Sequence, residues 1–277
     1  MTVLQAALLG LVQGVTEFLP ISSTAHLLIV PHYLGWPDPG TSFSAAIQLG
    51  TLVAVFVYFA GDIRRLTTAA IAGLRVRNLC HSGDCLLAWS MVPATVPIAV
   101  FGLSLNDHIE SDFRNLTTVA SALIALAILL LASEKWGRRT RMMTDLRFWH
   151  IQFIGFCQAL ALVPGSSRSG STIMGGLLCG LRRSEAARFS FVLGLPAIGA
   201  SGLLKLFELI DAQPVADGLV SLAVGIAAAS ISGYLSIGFL LRFLERHGVF
   251  WFACYRVALG LLIFFSLYPS VDGFTVQ

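Results

Sequence analysis

Two short stretches concentrate the reactive side chains of this chain. QGVTEFLPISSTAHL, from Gln13, holds Glu17, Ser22, Ser23, Thr24 and His26. PGSSRSG, from Pro164, holds Gly165, Ser166, Ser167, Arg168 and Ser169, with Thr172 close behind. Glu17 is the only acidic residue before Asp38. An ionisable group in an apolar segment costs about 2.5–3.5 kcal/mol on insertion scales, which makes it a functional candidate by default. Gln13 lies one helical turn earlier on the same face and adds an amide oxygen. A divalent cation, Mg²⁺ or Ca²⁺, could bridge Glu17 to a phosphate oxygen, because Mg²⁺ favours a sparse carboxylate-plus-phosphate site.

Arg168 supplies the complementary charge. Its planar fork matches a phosphate and stays protonated. The surrounding Gly and Ser residues expose backbone N–H groups and add short donors. Ser22 or Ser23, and Ser166 or Ser167, are placed to cap the helices that follow. Two helix N-termini aimed at one point make an anion site, and a pyrophosphate would suit it. His26 follows Ser23 by one turn and could serve as general base, general acid or nucleophile, or be structural. Arg256 is a second cation inside an apolar segment, either a phosphate contact or a side chain snorkelling to the interface. The plain alternative for Glu17 and Arg168 is a structural ion pair. His32, His108, His150 and His247 fall near the ends of apolar stretches and read as interfacial.

The elements that must hold these residues follow from composition. Of the 277 residues, 56% are apolar and 12% charged, about half the usual charged share. A single soluble core cannot hide that much apolar surface, so lipid is the solvent. This excludes a soluble enzyme, a disordered chain and a nucleic-acid-binding domain; a net charge of +3 is too small for a nucleic-acid footprint. A membrane helix needs roughly 20 apolar residues. Six stretches qualify: about 43–60, 86–105, 116–133, 186–204, 218–241 and 249–268.

Two further apolar stretches, Val3 to Leu34 and Phe148 to Leu181, are too long for one helix and too short for two spans. Each is broken at its centre by Pro and hydroxyl residues, which end helices and start turns. They are expected to be re-entrant hairpins, the usual pointer to a midplane site. They are also copies. Gly10 aligns with Gly155, Gln13 with Gln158 and, after a one-residue deletion, Pro20 with Pro164 and Ser22-Ser23 with Ser166-Ser167. Phe43-Ser44 falls on Phe189-Ser190. The expected architecture is an all-α integral membrane protein: six transmembrane helices plus two re-entrant helical hairpins in an inverted-topology repeat. It forms a single membrane domain over 1–277, with halves of about 1–134 and 149–268.

Charge placement orients this scheme. Fourteen of the eighteen Lys and Arg residues fall in the connecting segments 61–85, 134–148, 182–188 and 242–247, all on one side. Arg114 and Lys205 fall on the other. The positive-inside rule makes the first side cytoplasmic and places both termini outside. Cys80 and Cys85 would then be closed to impermeant thiol reagents added from outside.

Together the two motifs resemble the paired signatures of the bacitracin-resistance family of undecaprenyl pyrophosphate phosphatases. The likeness extends over essentially the whole chain, including FSAAIQLGT from Phe43. The family's first motif reads Glu or Gln, three residues, then Glu; here it is Gln13 to Glu17, the amide variant. The resemblance implies hydrolysis of undecaprenyl pyrophosphate to undecaprenyl phosphate and inorganic phosphate, which recycles the lipid carrier for peptidoglycan synthesis and confers bacitracin resistance. It implies a bacterial plasma membrane location, multi-pass, with a site near the midplane opening outward. It assigns Glu17 as metal ligand or base, Ser23 and His26 as nucleophile and partner, and Ser167 and Arg168 as phosphate binders. Expected partners are the lipid substrate and the bilayer, with self-association into a homo-oligomer as an option. The rival reading is a polyprenyl-phosphate flippase or secondary transporter on the same scaffold, which would need the anion site but no nucleophile.

Overall fold

The computed structural model describes residues 1–79, 81–105, 108, 109, 113, 115–211 and 216–267. Cys80 and Arg114 lie outside the described residues. Eleven α-helices form there: α1 Val3–Phe18, α2 Ser23–Tyr33, α3 Gly40–Tyr58, α4 Ala60–Arg75, α5 Gly83–Ser104, α6 Leu116–Trp136, α7 Phe148–Ala159, α8 Arg168–Leu178, α9 Arg183–Asp211, α10 Ala216–Arg246 and α11 Phe250–Leu267. Among the described residues the one strand-like feature is an isolated bridge between Arg141 and Leu181.

Six helices contain apolar lengths of 18 to 29 residues, within α3, α5, α6, α9, α10 and α11. At 1.5 Å per residue even 18 residues reach about 27 Å, close to the thickness of a hydrocarbon core. Their outer faces carry exposed Leu103, Phe207, Phe239 and Phe265. So much contiguous apolar surface is at home in lipid rather than water.

The two broken stretches form helix–turn–helix pairs, α1–α2 and α7–α8. α1 stops at Phe18, just before Pro20. α7 stops at Ala159 and tightens into a 3₁₀ turn over Leu160–Leu162, just before Pro164. At 16, 11, 12 and 11 residues these helices are about 16–24 Å long, shorter than a span. α1 packs chiefly against α10, and α7 chiefly against α5. Gly10 makes the first approach possible, because a Cβ there would collide with the Gly225 backbone. Gly155 does the same against Ala94. Small residues at such crossings let backbones meet without a side chain between them.

The main core lies between these pairs and α9, where Phe18 meets Phe191 edge-on at 5.1 Å and Phe59 flanks Phe191 at 6.1 Å. One connecting segment differs from expectation: residues 61–85 contain α4, an amphipathic helix. Its buried Asp62 takes both arms of the Arg188 guanidinium on α9, at 2.6–2.9 Å, and its Leu66 joins the core. Cys85 is fully buried, with its sulfur against Gly73. Resistance of this thiol to labelling would therefore report burial, not sidedness.

Candidate active site

The geometry converges on Glu17, near the end of α1. Its carboxylate is buried, and three donors reach it. Gln13 Nε2 donates to Oε2 at 2.9 Å, Ser23 Oγ to Oε2 at 2.6 Å, and Arg168 Nη2 to Oε1 at 3.1 Å. Ser23 is the first residue of α2 and Arg168 the first of α8. Both helices thus present their positive N-terminal ends to the same acid.

The caps explain why. Ser22 and Ser167 are the N-caps, accepting from Ala25 N at 3.4 Å and Gly170 N at 3.1 Å. Each holds a left-handed backbone, φ 76° and 67°, where only Gly sits without cost. Strained residues of this kind persist where surrounding structure over-determines them, and they cluster at functional sites. Each cap hydroxyl also pairs with the hydroxyl two residues on: Ser22 with Thr24 at 3.0 Å, Ser167 with Ser169 at 3.1 Å. So Ser22 corresponds to Ser167, not Ser166, and Arg168 stands where the first motif has Ser23. The expected pairing of Ser22-Ser23 with Ser166-Ser167 is shifted by one residue, because the cap geometry, not the Ser-Ser dipeptide, sets the register.

The two turns are tied directly to each other. Gly165 N donates to Thr24 Oγ1 at 3.4 Å, and Ser169 Oγ to the Leu19 carbonyl at 3.2 Å. Gly165 itself has φ 95° and packs against the Val119 backbone, so a side chain there would be both strained and blocked.

Arg256, expected to be either a phosphate contact or a side chain snorkelling to the interface, is committed to the backbone instead. It is completely buried, and its guanidinium donates to five backbone carbonyls: Leu123 at 3.1 Å, Pro20 at 3.2 Å, Ala122 at 3.3 Å, and Gly165 and Ser166 at 3.0 Å each. It clamps both turns to α6, and donors so committed are not available to a substrate. Thr172 and Ser169 are likewise wholly buried. Thr172 Oγ1 donates to the Arg168 carbonyl at 2.8 Å and shares a hydrogen bond with Ser190 Oγ. Ser190 O also accepts from Arg168 Nη1 at 3.3 Å, so Ser190 helps aim the Arg168 fork. Its alignment with Ser44 was visible in the sequence, its role was not.

His26 turns away from Ser23. Its Nδ1–H donates to the Ser22 carbonyl at 2.7 Å, which leaves Nε2 to accept from the Tyr255 hydroxyl at 2.7 Å. The two rings stack with centroids 5.7 Å apart. Tyr255 carried no sequence signal beyond being an aromatic in an apolar segment.

Around the two turns, the buried atoms left without a partner among the described residues are Gln13 Oε1, Arg168 Nε, Ser171 Oγ and both amide atoms of Gln158. An unsatisfied buried group costs about 1–3 kcal/mol unless a ligand supplies its partner. Arg168 Nε is a spare donor of the kind a phosphate oxygen takes up. Gln13 Oε1 is a spare acceptor beside a carboxylate, so Gln13 and Glu17 fit a sparse Mg²⁺ or Ca²⁺ site completed by phosphate. Among the described residues no set of three or more His, Cys, Asp and Glu side chains gathers around a point that would hold an ion by itself. A cavity of about 390 Å³ lies beside the second turn, bounded by Thr117, Ser121, Ala125 and Leu126 of α6 and by Leu160, Val163 and Ser166.

Comparison with known proteins gives the family. Residues 6–262 match the family described as bacitracin resistance protein BacA. The undecaprenyl-diphosphatase of Myxococcus xanthus (strain DK1622) is 46% identical over 263 residues, covering 95% of this chain and 88% of that protein. The undecaprenyl-diphosphatase of Chloroherpeton thalassium is 45% identical, covering 95% and 96%, and that of Chlorobium phaeovibrioides 44%, covering 96% and 98%. With a match of this extent, the chain belongs to the BacA bacitracin resistance family.

Proposed function

We infer that this integral membrane protein is an undecaprenyl-diphosphatase. It hydrolyses undecaprenyl pyrophosphate to undecaprenyl phosphate and inorganic phosphate, so it recycles the carrier for peptidoglycan synthesis and confers bacitracin resistance. The observation that carries the chemistry is the 2.6 Å hydrogen bond from Ser23 Oγ to Glu17. A hydroxyl donating to a buried carboxylate is an activated nucleophile beside its base, which a flippase would not require.

In the reaction we favour, Ser23 Oγ attacks the terminal phosphorus while Glu17 accepts the hydroxyl proton. The bond from that phosphorus to the bridging oxygen breaks, and undecaprenyl phosphate leaves. Glu17 passes that proton to the departing undecaprenyl phosphate; water then attacks the phosphoserine, giving its proton to Glu17, which returns it to Ser23 Oγ as inorganic phosphate leaves. Arg168 moves its fork from Glu17 onto the phosphoryl oxygens, where the N-termini of α2 and α8 add positive potential. Glu17 and Gln13 would hold a divalent cation, which when bound neutralises pyrophosphate charge. His26 and Tyr255 sit outside this proton path and hold the α2 turn in place. The apolar cavity reaching Ser166 offers room for the first isoprene units.

The site is best understood in an inverted repeat of two re-entrant hairpins. Gly10 and Gly155, Gln13 and Gln158, and Ser22 and Ser167 are separated by one common spacing. Each glycine meets a helix of the opposite half, α10 and α5 respectively. The basic segments then lie in the cytoplasm of a bacterium, both termini outside, and the site opens outward near the midplane.

The test is phosphate release from the C55 lipid by purified protein, wild type and Ser23→Ala, with and without chelator. Trapping of radiolabelled phosphate on Ser23 after acid quench is expected. Full turnover by Ser23→Ala would move the attack to another group.

A further inference from the structure

A second cationic site lies away from Glu17, at the Arg-rich end of α6 beneath the second helix pair. A pocket of about 270 Å³ is lined by Trp136, Arg138, Thr140, Arg141, Leu178, Cys179 and Gly180. Its floor is fixed: Thr140 N and Arg141 N both donate to the Gly180 carbonyl at 3.0 and 2.9 Å, and Arg141 Nη1 donates to the Cys179 carbonyl at 2.7 Å. Arg138 makes no hydrogen bond or ion pair within the described protein. The carboxylates of this region are committed elsewhere. Glu134 takes Arg183 and Val249 N, Asp145 takes Met142 N, and Glu185 takes Met143 N.

His150 brings a further polar group to the pocket, against Arg141. Its Nδ1 accepts from Arg147 N at 3.1 Å, so in the neutral ring the proton is on Nε2. Yet Nε2 faces Arg141 Nη1 at 3.2 Å, and Arg has donors only. The neutral ring cannot accept from Arg147 N and from Arg141 Nη1 at once. One anionic oxygen would accept from both Nε2–H and Arg141 Nη1.

The rim is apolar and open. Trp136 and Leu178, which line it, are exposed, and so are Phe148 and Trp149, which directly precede His150 in the chain. Tryptophan rings at a helix end mark the headgroup level of a membrane. A soluble phosphate would have no use for them, whereas acyl chains would.

We propose that this pocket binds the phosphate of an anionic phospholipid, held by Arg141, His150 and Arg138, with its chains along Leu178 and the two tryptophans. The site would fasten the base of the helix pair whose far end carries Arg168. Its place at the membrane surface rests on the topology proposed above, while the binding itself does not depend on the phosphatase reading.

The experiment uses the full chain in zwitterionic detergent, titrated with phosphatidylglycerol, phosphatidylcholine or inorganic phosphate and read by native mass spectrometry. Phosphatidylglycerol is expected to stay bound where phosphatidylcholine is lost. The diffuse attraction of one surface Arg amounts to roughly five-fold in affinity. Arg141→Gln and Arg138→Gln should each lose clearly more than that, and Arg75→Gln, an exposed cation outside the pocket, no more. Arg138→Gln keeps the test clear of misfolding, since that side chain holds nothing internally. Equal losses in all three variants, no preference for phosphatidylglycerol, or equal displacement by inorganic phosphate would each overturn the proposal.

Discussion

Arg256→Lys separates a structural clamp from a phosphate contact. The guanidinium satisfies five carbonyls drawn from Pro20, Gly165, Ser166, Ala122 and Leu123. A lysine ammonium has three donors on a shorter reach, so at least two carbonyls lose their partner. At about 1–3 kcal/mol for each orphaned buried group, the loss is about 2–6 kcal/mol before relaxation. At roughly 2–4 °C per kcal/mol for a chain of this size, the thermal midpoint should fall by about 4–24 °C. Both turns hang from this side chain, so Ser23 and Arg168 would also drift relative to each other. A misplacement near 1 Å costs about 10²-fold in rate. The assay pairs tryptophan-fluorescence melting in detergent with phosphate release over a range of lipid concentrations. A lower midpoint and lower kcat with little change in KM is expected. An unchanged midpoint with the whole defect in KM would refute the clamp and return Arg256 to the substrate.

Other perturbations follow from the same geometry. Ser23→Ala should lower kcat by about 10³-fold or more while leaving the fold intact, because it deletes the attacking atom and only one hydrogen bond; circular dichroism and turnover together check this. Arg168→Lys should lose about 10²-fold in kcat/KM, since a point charge cannot replace a fork that Ser190 aims and that turns from Glu17 onto phosphate; near-normal kinetics would argue against forked recognition. His26→Gln and Tyr255→Phe should each cost no more than about ten-fold, and a His26→Gln defect as deep as that of Ser23→Ala would bring the imidazole into the proton path. Gly155→Val should lower the melting temperature, because the new side chain has only the Ala94 backbone to occupy.

Charge scarcity makes Glu17 and Arg168 legible in the sequence alone. In an apolar segment each ion needs a reason, and the same two segments were the wrong length for spans. The six long helices were equally plain, since hydropathy measures what the bilayer selects. What stayed hidden was written in the backbone. Arg256 is explained by five carbonyls, and carbonyls have no residue type. The register of the caps depends on left-handed φ values at Ser22 and Ser167, which composition does not signal. α4 was masked by its arginines, which hid the buried stripe of Asp62, Leu66 and Gly73. Tyr255 meets His26 only because α11 passes the first turn.

Gln158 has a consequence for how many reactions one chain can run at once. It matches Gln13 in spacing and is just as buried, yet both its amide atoms are unpaired. One turn later, where the first motif has Glu17, the second has Leu162. In the duplicated scaffold proposed above, the second copy carries the berth for a second acid but not the acid. On that reading the halves are specialists, the first supplying base and hydroxyl and the second the cation. Neither half would then work alone or beside an identical copy of itself, and titration of active centres should return one per polypeptide rather than two.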